Sequence, residues 1–435
     1  MLPILLSLLA ASSVAQPTKR QDGKPVFMPL KYPYNGYPKV YADIYFGTPE
    51  QTPIETVVDL GSADYWVYGP NATIFYGSPY LGVEGPCHLT PEPSYNPYAS
   101  STAQGFHNQT RGFAYGGNGK ILTSYYSVND TISFSPASSS SSSALFPSLA
   151  NTQVAITNRT LIKIRADQCT GVDYDSSILG IAQAGSGTNQ GPSFRQNLLD
   201  AGAISSSTLS MWFDAPPAGV RDDYRGTMLL GAIPAADAGK YAGTLVQVPK
   251  REPDGSVGYY VDRPVWRVGE REVKLYTGYY NTTTTTCLLD SGSGQDYLPL
   301  DQDDFLAAME GEVVIFNGRP AWNGTCESIP GDKAVSLTFG GVQAGESVTI
   351  DVPLRNWARG NADFYNNTNI CGLSMELSNA DSCVLASPFS SAAFLAVNDE
   401  LGQIALAQGG VSSGAEDGYE GLGEVEYIAK GQGLP

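Results

Sequence analysis

Two six-residue stretches lying 231 positions apart carry the same pattern: Val57-Val58-Asp59-Leu60-Gly61-Ser62 and Leu288-Leu289-Asp290-Ser291-Gly292-Ser293. In each, two apolar residues lead into an acid, and Gly-Ser closes a tight turn. A second echo follows each acid, Ser177-Ile178-Leu179-Gly180 in the first half and Cys383-Val384-Leu385-Ala386 in the second. One Asp-x-Gly-Ser alone is ordinary turn chemistry. The ordered pair constrains the chain to two similar halves, each offering one carboxylate at a strand end and one apolar segment closed by a small residue.

The rest of the chain fits that plan. Its 435 residues exceed one ordinary core, so two or more domains are expected. Short β-rich runs such as VYADIYF, IETVVDL, ILTSYYSV and QIALAQ recur between Gly, Pro and Asn turns, which reads as all-β. Two helices are expected, within SFRQNLLDAGAI and LDQDDFLAAMEG, each opened by a capping residue or acidic first turn and stopped by Gly. The net charge of −18 argues against nucleic acid as a partner, because phosphate binding needs a basic face.

Two carboxyls at hydrogen-bonding distance cannot both ionise easily in a desolvated cleft, so they share a proton and titrate as a unit. The ionised one takes a proton from water while the protonated one hydrogen-bonds a carbonyl oxygen. Gly61 and Gly292 permit the turns, and Ser62 and Ser293 offer hydroxyls to the carboxylates. Asp64 and Asp296, close in sequence to these acids, are expected to face solvent, since extra buried acids are costly. His88 and His107 sit in no metal motif and are read as surface residues; no metal and no cofactor is expected.

From about Tyr41 to Ala407 the chain resembles the pepsin-like aspartic endopeptidases of the secreted fungal type. YADIYFGTPEQ is similar to the family's N-terminal strand and turn. Trp66 stands where the family has a Trp after the first acid. AYGGNG, with Tyr115, Gly116 and Gly117, resembles the flap hairpin whose Tyr bonds that Trp and closes on substrate. ILGIA and VLASPF resemble the segments threaded behind each acid.

The resemblance implies a bilobal fold, two orthogonal β-barrel-like lobes with a central cleft. It implies Asp59 and Asp290 as catalytic acids, water as nucleophile and an extended polypeptide as substrate; a monomer is expected. It also implies Cys326–Cys371 as the C-lobe bridge. Cys287 and Cys383, which open two strands expected to be neighbours, are paired with each other, and Cys87–Cys169 is the remaining pair.

Three features depart from the family pattern. Thr or Ser usually stands between each acid and its Gly, with a hydroxyl that reaches the opposite loop; Ser291 keeps this and Leu60 does not. Gly117 gives the flap no polar side chain after Tyr-Gly. The stretch before the first family-like strand is short, whereas family zymogens carry a longer basic pro-segment. Leu60 and the short pro-segment motivate an alternative: a catalytically silent homologue that uses the cleft as a binding or inhibitor protein. A two-carboxylate glycosidase is disfavoured by the flap-like and threaded segments.

Residues 1–15 read as a secretory signal peptide, with an apolar run too short to span a bilayer. The expected organisation continues with a short pro or N-terminal segment at 16–36, containing the dibasic Lys19-Arg20, and an N-terminal lobe at 37–213. An interlobe linker at 214–226, a C-terminal lobe at 227–408 and a loosely ordered Gly-rich acidic tail at 409–435 complete it. Sequons at Asn71, Asn108, Asn129, Asn158, Asn281, Asn323 and Asn366 support secretion and glycosylation. No further stretch is apolar enough for a membrane span.

Overall fold

The computed structural model describes residues 25–34, 38–116, 120–135, 148–163, 174–185, 193–278, 283–359, 369–414 and 421–435. The chain is mostly β and forms two lobes. In the first, neighbouring strands run Tyr41–Phe46, Ile54–Asp59, Ser177–Gly180, Tyr65–Ser78, Leu149–Lys163, Ile121–Ser133 and Gln104–Ala114. Tyr45 and Phe46 pair back onto Ser133 and Ile132, which closes the sheet on itself. In the second lobe a 6-stranded sheet holds Thr286–Leu289, Val384–Leu385 and Asp296–Tyr297, and 4-stranded and 3-stranded sheets flank it.

Strand composition follows position. In Ala334–Gly340 and Ser347–Pro353, apolar residues alternate with polar ones, and only the apolar face is buried. Ser177–Gly180 and Leu209–Phe213 are buried at every position, because both their faces are covered. The lobes are joined by antiparallel strands in the order Ala242–Val248, Gln403–Gln408, Ala393–Asn398, Leu209–Phe213, Tyr224–Leu230 and Val26–Tyr32. Both expected helices form, Phe194–Asp200 capped by Ser193 and Gln302–Ala308 capped by Asp301.

Three expectations need correction. Val26–Tyr32 lies within the segment 16–36, yet it pairs along its whole length with Tyr224–Leu230 and is largely buried. Pro29 hid this strand, because a Pro within a run argues against a sheet-interior position. Tyr224–Leu230 also takes in the last three residues of 214–226, so the connection between lobes is shorter than that span. The tail is docked: Val425–Tyr427 pairs with Ala232–Pro234, and Leu422, Ile428 and Leu434 are buried with Phe27, Trp212 and Phe394.

Cys287–Cys383 and Cys326–Cys371 are disulfides, and Cys87 is also disulfide-bonded. Its expected partner Cys169, the signal peptide and Lys19-Arg20 lie outside the described residues. Among the described residues, no helix is long and apolar enough to cross a membrane.

Candidate active site

The two acids are placed by one construction used twice. Ile54–Asp59 runs parallel to Ser177–Gly180, with Val57 opposite Ile178 and Asp59 opposite Gly180. That threaded strand pairs antiparallel with Tyr65–Ser78 on its other side. In the second lobe, Thr286–Leu289 runs parallel to Val384–Leu385, which pairs antiparallel with Tyr297. Main-chain bonds fix each acid to its threaded segment: Ile181 N–H donates to Asp59 O, and Asp290 N–H donates to Leu385 O, both at 2.9 Å. Val57, Val58, Ile178 and Leu179 of the first half and Leu289 and Leu385 of the second are thus buried, while Leu288 and Val384 are half-buried.

The acid loops meet between the lobes. A Cβ added at Gly61 would lie 2.7 Å from Asp290 Oδ1, and one at Gly292 would lie 2.3 Å from Asp59 Oδ1. Each glycine therefore faces the opposite acid, and neither site has room for a side chain. Asp59 Oδ1 accepts from Gly61 N at 2.8 Å and Oδ2 from Ser62 Oγ at 2.6 Å. Asp290 Oδ1 accepts from Gly292 N at 2.9 Å. Ser293 does not match Ser62, because its hydroxyl donates to Gln295 O at 3.1 Å. Burial, the charge of Asp59 and a hydrogen bond between the two carboxyls push Asp290 well above the usual carboxyl range.

Ser291 spans the lobes. Its hydroxyl donates to Val58 O at 2.6 Å and accepts from Leu60 N at 3.2 Å. Ser387 Oγ in turn donates to Ser291 O and Ser293 O, each at 2.9 Å. Leu60 is fully buried in the main apolar core, so its side chain contributes packing and no interlobe hydrogen bond. The bridge runs one way, from Ser291 to the Asp59 loop.

The family model for eukaryotic aspartyl proteases matches residues 39–409. The chain belongs to the eukaryotic aspartyl protease family. No curated protein matches it.

In this member of the family, Tyr115 leaves the hairpin formed by Gln104–Ala114 and Ile121–Ser133, with its N–H on Lys120 O at 2.9 Å. Its hydroxyl accepts from Trp66 Nε1 at 2.9 Å. Burial, then the charges of Asp64 and Asp59, hold the phenol well above its usual ionisation range, with hydrogen bonds to Trp66 and Ser62 opposing. Gly116 is exposed beside it, and Gly117 lies outside the described residues.

Asp64 and Asp296 are buried, contrary to expectation. Asp296 is 1% exposed. Its Oδ2 accepts from Trp357 Nε1 at 2.7 Å and its Oδ1 from Ala386 N at 2.6 Å. These two donors satisfy the carboxyl and make its burial tolerable. Burial still outweighs them and raises its pKa to about 7. Beside the first acid, Lys39 and Lys120 both bond Asp175. No single-residue signal marked this cluster. The echo in fact extends back to it: Asp175-Ser176-Ser177 matches Asp381-Ser382-Cys383, but Asp381 is exposed.

Of the sequons, Asn71, Asn108 and Asn323 are exposed, and Asn129 and Asn158 are half-buried. Asn281 and Asn366 lie outside the described residues. His88 and His107 are exposed and pair across strands opposite Phe75 and Ser127.

Two outcomes follow from this geometry. Ser291→Ala strips partners from Val58 O and Leu60 N at once and is expected to cost about 1–3 kcal/mol in urea unfolding, whereas Ser291→Thr keeps most of that stability. For Asp296, the folded pKa lies above the ordinary 3.8. Its contribution is therefore complete below pH 4 and is lost as pH rises to 7, by about 4 kcal/mol. Urea midpoints measured from pH 4 to 7.5 should fall less steeply in Asp296→Asn than in the wild type.

Proposed function

We propose that this protein is a secreted, monomeric endopeptidase that hydrolyses polypeptides with water activated between Asp59 and Asp290. The observation that carries the reading is the crossed contact in which Gly61 faces Asp290 and Gly292 faces Asp59. It brings a buried carboxyl, Asp59, and a half-buried one, Asp290, together where one proton serves both. Asp59, which receives two donors, carries the charge, and Asp290, which receives one from the main chain, keeps the proton.

In this scheme Asp59 removes a proton from the attacking water. Asp290 donates a hydrogen bond to the scissile carbonyl as its oxygen gains charge. The proton taken by Asp59 then passes to the leaving amine. No covalent intermediate forms, and the step draws on side chains and water alone. Tyr115, whose hydroxyl bonds Trp66 and reaches Ser62 beside Asp59, supports the reading of its hairpin as a flap whose main-chain groups would hold an extended peptide. Because one carboxyl must be ionised and the other protonated, turnover is expected in acid.

The rival reading, a silent homologue that only binds, draws on the one-way bridge at Ser291 and on the apolar Leu60. Incubation with a denatured protein between about pH 3 and 6 separates the two. The proposal expects cleavage, inhibition by a statine-type compound, and a loss of about 10²–10⁴-fold in kcat for Asp290→Asn. Absence of cleavage by the wild type at every pH would leave the binding reading standing.

A further inference from the structure

Lys39, Asp175 and Lys120 form a nearly dry cluster on the first-lobe wall. Lys39 Nζ donates to both Asp175 oxygens, at 2.7 and 2.9 Å, and Lys120 Nζ donates to Oδ2. The three side chains are 16%, 7% and 3% exposed in the order Lys39, Asp175, Lys120. Burial alone would raise the Asp175 carboxyl, but the two lysines outweigh it and hold it below the ordinary carboxylate range. Burial pulls Lys120 down from the usual lysine range, with Asp175 opposing. One lysine would suffice to neutralise Asp175. The second leaves one positive charge unmatched in a place where an unmatched charge is costly.

The cluster adjoins both acid loops. Pro38 O and Lys39 Cγ lie 2.7 and 3.6 Å from where a Cβ on Gly294 would sit, and Val40 N–H donates to Ser291 O at 3.3 Å. Lys120 Nζ stands 5.1 Å from the centre of the Tyr115 ring and 5.8 Å from that of Trp66. Tyr115 reaches Ser62, which holds Asp59.

Among the described residues, the other charged groups facing this region cancel or are neutral. Asp64 and Arg111 oppose each other, and Tyr115 keeps its proton. From the second lobe, Asp296 is neutral below about pH 7. Among the described residues, the group of opposite sign that remains is the pair of acids.

We propose that the surplus positive charge of the Lys39–Asp175–Lys120 cluster is the resident counter-charge of the singly ionised Asp59–Asp290 pair. This rests on the proposed sharing of one proton between those acids. With one carboxylate ionised, cluster and pair together are neutral. With both protonated, the cluster is left uncompensated. The cluster therefore favours the one-proton state and extends it to lower pH. Lys39 and Lys120 are positioning residues here and do not touch substrate.

The test is the carboxyl titration of the full chain carrying 13C-labelled aspartate, followed by NMR, with Asp59→Asn and Asp290→Asn used to assign the pair. Lys39→Met should raise the lower of the pair's two protonation steps, from one bound proton to two, by about one pH unit. Lys120→Met, which removes the other ammonium, should move it the same way, and Lys39→Arg should leave it in place. The acid limb of kcat/KM should shift in parallel. Titrations of both Met variants that superimpose on the wild type would overturn the proposal, as would a Lys39→Arg shift equal to that of Lys39→Met. Failure of the wild type to cleave peptides would sink the peptidase reading, while the titration would still decide this one.

Discussion

The site depends on a contact between two loops that belong to different lobes. Gly61 and Gly292 allow each acid to lie against the opposite turn, and the Ser291 hydroxyl ties the two together through Val58 O and Leu60 N. Each loop is itself anchored by a threaded strand, Ser177–Gly180 or Val384–Leu385. The lobes thus provide rigidity, and a few polar atoms between them set the spacing of the carboxyls. Small residues are needed there because any Cβ at either glycine would fall within 3 Å of a carboxylate oxygen.

The two halves are similar in backbone and different in chemistry. Asp59 has both a main-chain and a hydroxyl donor, while Ser293 turns its hydroxyl to Gln295 O. The first turn packs Leu60 into the core, and the second offers Ser291 to its neighbour. Behind Asp290 a further buried acid, Asp296, is held by Trp357 and Ala386. Beside Asp59 the first lobe likewise buries an acid, Asp64, and adds the two lysines bound to Asp175. Such asymmetry gives two carboxyls of the same type different environments, which is what distinct acid and base roles require.

Much of this was legible in the sequence because the echo is both local and ordered. An acid at a strand end, its glycine and the later apolar segment are backbone requirements, and backbone requirements leave patterns. Trp66 and Tyr115 were legible through their place in that order. What was not legible depends on side-chain direction or on partners far away in the chain. Ser62 and Ser293 look alike in sequence, yet only one meets its acid. Asp64 and Asp296 look like surface acids until the surrounding fold buries them. Lys39, Lys120 and Asp175 are brought together by three separate segments, so none signals the others. The first strand and the docked tail were obscured by Pro29 and by Gly-rich composition, although their apolar residues find a shared core.

The central claim is that Asp59 and Asp290 act as one unit, and a double-mutant cycle on peptide cleavage tests it most directly. Residues that work as a unit lose their function together. Asp59→Asn, Asp290→Asn and the double variant should then show nearly the same kcat/KM. Losses that add in the double variant would contradict the account, since each acid would then be contributing independently of the other.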